Sequence, residues 1–261
     1  MKTLTTFASA AVLALTLAAT VAPAHAAVIA QFTPDTNASD YKWLNNIPAT
    51  NNGTGGHFFS ITGNTQTTAH AVATHFSYLD GTLNNAAFIP AKFTIDATAL
   101  SGNPATVNGS GVWSQTHVNG TFSFIYTGVS IANFNGSGIT LAHNSNLLSG
   151  IFTNAWIQGA GGSGSFNLTQ TNGGSLLFTS DYDLQTQDPG TQEFALNLLS
   201  ATPTVFANAG KALRTFRANG GGNFSADSGI PEPATWGLMI VGFGGIGAVM
   251  RNRRRLAIAT A

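Results

Sequence analysis

Cysteine is missing from this chain, which excludes disulfides, cysteine nucleophiles and cysteine-ligated zinc. Charge is scarce as well: Asp, Glu, Lys and Arg make up 8% of the 261 residues and cancel to a net charge of +0. Solubility must therefore come from Asn, Thr, Ser, Gln and Gly. Sustained helical periodicity and a clean internal repeat are also lacking. Between Ala27 and about Ile230 there are only five basic residues, Lys42, Lys92, Lys211, Arg214 and Arg217. Nine acids oppose them: Asp35, Asp40, Asp80, Asp96, Asp181, Asp183, Asp188, Glu193 and Asp227. A balance of about −4 gives no electrostatic basis for nucleic-acid binding, which needs clustered positive charge. No G-x-S-x-G elbow is present, so a serine hydrolase lacks its usual signature.

Long apolar runs occur only at the two ends. After Met1 and Lys2, the stretch Ala8–Val21 carries no charge, and Ala24-His25-Ala26 places small residues at positions −3 and −1 of a cleavage site. This pattern reads as a secretory signal peptide over residues 1–26, cut before Ala27 and exported by the Sec machinery. About fourteen apolar residues are too few for a spanning helix, which needs roughly 20.

The middle, residues 27–227, reads as one all-β domain of β-sandwich or jelly-roll type. Asn-Gly, whose residues accept positive φ, recurs at Asn52-Gly53, Asn108-Gly109, Asn119-Gly120, Asn135-Gly136, Asn172-Gly173 and Asn219-Gly220. Each pair is expected to mark a turn. Thr121–Thr127 (TFSFIYT) alternates, with Phe122, Phe124 and Tyr126 on one face. Ala91–Asp96 does the same through Phe93 and Ile95, and Glu193–Leu198 through Phe194, Leu196 and Leu198. Val28–Phe32, His57–Thr62, Ala71–Tyr78, Gly150–Gln158, Ser165–Gln170 and Ser175–Asp181 are further candidates. Gly159–Gly164 is expected as a flexible loop, and Gly220–Gly222 as a bend before the last strand.

Residues 228–261 are different. Pro231-Glu232-Pro233 holds the backbone extended, because each proline biases its predecessor away from helix. Ala234–Met250 then runs without a charge. As a helix at ~1.5 Å per residue it would reach roughly 26 Å, slightly short of a ~30 Å hydrocarbon core. Trp236 suits the membrane interface, and Arg251, Arg253, Arg254 and Arg255 can snorkel to make up the shortfall. The positive-inside rule keeps those arginines cytoplasmic and puts the β domain across the membrane. Gly242–Gly247 matches G-x-G-x-x-G, but it lies inside the apolar run, and no acidic residue follows it. Helix packing through Gly244 and Ala248 explains the small residues better, so no cofactor is expected.

The ordered set of Pro231-Glu232-Pro233, Trp236, Gly242-Phe243-Gly244 and an arginine cluster resembles the PEP-CTERM sorting signal in its PEPxxW subtype. The resemblance covers only the last 30 or so residues. It implies an envelope protein of a Gram-negative bacterium, recognised near Pro231–Pro233 by an exosortase, a membrane protease-transpeptidase. It also implies transfer to the surface of cells that make exopolysaccharide or biofilm. Gly237 stands where alanine is usual, and Leu256–Ala261 extend past the arginines farther than is typical.

Within the middle, candidate chemistry is thin, and a non-enzymatic protein is expected. Asp181, Asp183 and Asp188 have oxygen ligands at spacings that suit calcium, although a solvated turn explains them more simply. His57, His70, His75, His117 and His143 are expected as surface or hydrogen-bonded residues, with His70 and His75 on opposite strand faces. Trp43, Trp113 and Trp156 suit core packing first, and sugar stacking in a carbohydrate-binding module or weak glycan-active enzyme second. Lys211, Arg214 and Arg217 suit a solvated strand, with contact to an acidic polysaccharide as the alternative.

Overall fold

A computed structural model describes residues 27–35, 39–169, 173–182 and 192–226. The expected signal peptide, the Pro-Glu-Pro motif, the apolar span and the arginine cluster lie outside the described residues, as do Asp183 and Asp188. Residues 26–228 group as one unit.

The described chain is all-β, as its alternation and turn chemistry predict. Its strands are β1 Ala27–Pro34, β2 Tyr41–Asn45, β3 Gly56–Ser60, β4 Val72–Tyr78, β5 Ile89–Ala99, β6 Thr106–Val107 and β7 Trp113–Tyr126. They continue with β8 Asn146–Ala160, β9 Ser163–Thr169, β10 Ser175–Thr179, β11 Gln192–Thr202, β12 Phe216–Asn219 and β13 Gly222–Ala226. Between strands the only helical pieces among the described residues are short 3-10 turns at Thr82–Asn84 and Phe134–Gly136.

The strands form one continuous antiparallel sheet that closes on itself. Following neighbours from β5 through β4, β1, β13, β11, β9, β8 and β7 returns to β5. A second track of β3, β2 and β12 also joins β5 to β11. Closure removes most free edges, leaving β6 and β10 as short outer strands.

Aromatic side chains fill the interior. Phe124 is fully buried, with its ring centroid 4.4 Å from Phe93, 4.8 Å from Phe32 and 5.0 Å from Phe76. Phe194 stacks on Phe224 at 4.5 Å. Phe58, Phe152 and Phe166 extend the same cluster. Each such ring removes a large apolar area from water, and truncating one to alanine costs about 3–5 kcal/mol.

Two expectations are corrected. Asn119-Gly120 is no turn: both residues lie inside the 14-residue strand β7. Glycine is required there because a Cβ at Gly120 would collide with the Asp96 carbonyl oxygen and the Ala97 backbone on neighbouring β5. Gly159–Gly164 is no flexible loop either. It is the β8–β9 hairpin, with Gly159 paired to Gly164 and Gly161 at φ 61 in the turn. The bend expected at Gly220–Gly222 is present: the chain leaves β12 at Gly220 (φ 151) and enters β13, the last described strand, between β1 and β11.

Candidate functional site

Registers and bulges decide which polar groups share a surface. His57 on β3 meets Asp96 on β5 through Nε2 and Oδ1 at 2.6 Å, and His75 on β4 pairs with Asp35. His117 Nδ1 lies 2.9 Å from the Thr116 hydroxyl, and His143 Nδ1 lies 2.8 Å from the Gly128 carbonyl. These four behave as hydrogen-bonded surface histidines. Asp181 accepts the Asn146 N–H at 2.7 Å at the start of β8, a structural bond. Among the described residues no group of three or more His, Asp or Glu side chains gathers to hold a metal.

A cationic corner was not legible in the sequence. Lys42 on β2 stands directly opposite Arg217 on β12. Its stem is buried, and its ammonium donates to the carbonyls of Gln66 at 2.6 Å and Asn64 at 3.4 Å. Burial, and then the facing Arg217 charge, lower its pKa. Thr202, Pro203 and Thr215 complete a shallow concavity around the pair. Lys211 and Arg214 line none of it; they precede β12 in the connection from β11.

Nearby Asp40 is almost fully buried. Its N–H donates to the Ala218 carbonyl at 3.0 Å, and its own carbonyl accepts from Ile61 at 2.8 Å, but Oδ2 has no partner among the described residues. Burial pushes its carboxyl up to about 6.

The three tryptophans of the domain take three different places. Trp43 is wholly buried, and its indole N–H donates to the Leu213 carbonyl at 2.8 Å. Trp113 packs at the rim of the core against Phe206, with centroids 5.1 Å apart. Trp156 stands outside the core, part-exposed on the outer face of β8. The cause is a phase change. Leu148, Gly150 and Phe152 point inward, as do Ala155 and Ile157, so one residue is inserted between the two sets. Asn154 absorbs it at φ 57, and opposite, on β7, His117 takes φ 58 where the register slips between Gln115 and Val118. A one-residue slip exchanges the two faces of a strand, so this bulge turns Trp156 to solvent. Around it lies a concavity of about 290 Å³ lined by Ser114, Thr116, Asn154 and Gln158.

The sorting residues Ala24, Ala26, Pro231, Glu232, Pro233, Trp236, Arg251, Arg253, Arg254 and Arg255 all lie outside the described residues. Among the described residues no helix is long and apolar enough to cross a membrane. Comparison with known families identifies residues 229–255 as a PEP-CTERM protein-sorting motif. The motif implies export and membrane-anchored sorting before cleavage by an exosortase. No curated protein and no solved structure matches the chain.

Proposed function

We propose that this chain is a non-enzymatic extracellular protein, sorted by an exosortase and associated with exopolysaccharide or biofilm at the surface of a Gram-negative cell. The match of residues 229–255 to the PEP-CTERM protein-sorting motif carries this reading. Residues 1–26 act as a Sec signal peptide, and residues 234–250 act as a transient inner-membrane stop with Arg251, Arg253, Arg254 and Arg255 in the cytoplasm. The β domain then waits in the periplasm. Pro231-Glu232-Pro233 presents extended backbone at the membrane surface, where Glu232 fixes the depth of the cleavage site and Trp236 marks the interface. A Cys-free, charge-poor domain with an aromatic-rich interior needs no oxidising step to fold once it is across.

The test is a Pro231→Ala/Pro233→Ala double variant expressed in the native host, followed by immunoblotting of inner-membrane and surface fractions. Retention of an uncut chain in the inner membrane supports the reading. Normal release to the surface at normal size contradicts it.

A carbohydrate-binding role on the same scaffold is the second reading. One observation favours it: Trp156 is turned outward into a polar groove.

A further inference from the structure

We propose that the groove around Trp156 is a binding site for a neutral sugar ring within a polysaccharide, with the indole as the stacking platform. This sharpens the carbohydrate-binding reading given above, and it stands apart from whether the chain is sorted.

Two bulges facing each other across β7 and β8 hold Trp156 in place. Both put a non-glycine residue in the left-handed region, His117 at φ 58 and Asn154 at φ 57. Asn and His enter this region more readily than most side chains, and the paired register shifts between β7 and β8 hold both there. Without the bulge the strand phase would bury Asn154, Trp156 and Gln158 and expose Ala155 and Ile157; the bulge therefore sets Trp156 on the outer face beside the polar Asn154 and Gln158. The fold thus sets a large aromatic ring outside the buried core, on the outer face of β8.

The groove chemistry suits a polyhydroxylated, uncharged ligand. Among the described residues no charged side chain lines it. The Ser114 hydroxyl and the Gln158 amide both donate and accept, as sugar hydroxyls require, and Asn154 and the Thr116 hydroxyl, itself 2.9 Å from His117 Nδ1, complete the polar lining. Asn167 on β9 sits directly across from Trp156 and extends the polar margin. Among the described residues the Trp156 indole has no ring partner, and no hydrogen bond is made by its N–H or by the Gln158 amide. An apolar face of C–H bonds can lie on the indole while the Gln158 amide and the Ser114 hydroxyl take the equatorial hydroxyls. Single-stranded nucleic acid also stacks on tryptophan, but it needs a positively charged groove to follow its backbone. Among the described residues this groove has no cationic side chain.

The test is affinity electrophoresis of the full chain in a detergent without a sugar headgroup. Gels contain dextran, galactomannan or mixed-linkage β-glucan, with polygalacturonate and an oligothymidylate as charged comparators. The expected result is retardation by at least one neutral glycan, weakened about tenfold or more in Trp156→Ala and partly restored in Trp156→Phe. Ile151→Ala, on the same outer face but outside the groove, keeps full retardation. Because Trp156 lies outside the core, its alanine variant should melt close to the parent, which separates lost binding from lost folding. Retardation by none of the neutral glycans, by the charged comparators alone, or undiminished in Trp156→Ala overturns the proposal. A failure of sorting in cells would leave this result unchanged, and a failure here would leave sorting unchanged.

Discussion

The β domain and the segment that follows it carry their information in opposite ways. Residues 229–255 match a named sorting motif, yet they amount to a short ordered string in which particular side chains must follow one another. The β domain has an elaborate closed sheet and a buried cluster of rings, yet no curated protein and no solved structure matches the chain. A signal read by another protein constrains residue identity. A packed interior constrains mainly volume and alternation, which many sequences satisfy. Likeness to other proteins therefore locates the address, and physical reading must supply the rest.

The comparison can be broken most sharply by moving the address. Fusing residues 228–261 to an unrelated exported domain should convert most of that domain to the cleaved surface form in the native host, as read by immunoblot. If the fusion stays whole, the β domain contributes to recognition, and the two regions are not separable in function. Next in size is a cut at the interior. Phe124→Ala should lose about 3–5 kcal/mol in chemical denaturation, because Phe93, Phe32 and Phe76 all lose a ring contact. A loss under 1 kcal/mol would mean that the interior is looser than its ring spacings indicate.

Smaller in effect is Asp40. Its carboxyl is raised from 3.8 to about 6 by burial, so the folded state holds the proton more tightly than the unfolded chain does. That contribution is fully present below about pH 4 and is lost as pH rises through about 6. Asp40→Asn should therefore be more stable than the parent by up to about 3 kcal/mol at pH 8, with the gap closing at pH 4. A gap that is constant with pH would show that Asp40 does not titrate as its burial demands. The smallest effect belongs to the cationic corner. Arg217→Gln should raise stability by about 0.5 kcal/mol at low salt, and less at high salt, by removing the like charge opposite Lys42.

Alternation made much of the sheet legible. Phe93 and Ile95 in β5, Phe122, Phe124 and Tyr126 in β7, and Phe194, Leu196 and Leu198 in β11 are buried as their spacing predicts. Alternation fails where the period is interrupted. Asn119-Gly120 has the composition of a turn, but Gly120 serves close approach to β5 inside a long strand. β2 is hard to read because it has only five residues, Leu44 breaks the alternation that Tyr41-Lys42-Trp43 begins, and the carbonyls that let Lys42 be buried are remote in sequence. The three tryptophans could not be told apart for the same reason. The outward turn of Trp156 depends on an inserted residue at Asn154, and a chain read at strict period two places that ring on the wrong face.

Intact-mass analysis of the protein recovered from the native cell surface tests the sorting account most directly. The expected species begins at Ala27, ends near Pro231–Pro233 and contains the whole β domain. A chain recovered from the cytosol with residues 1–261 all present would contradict it.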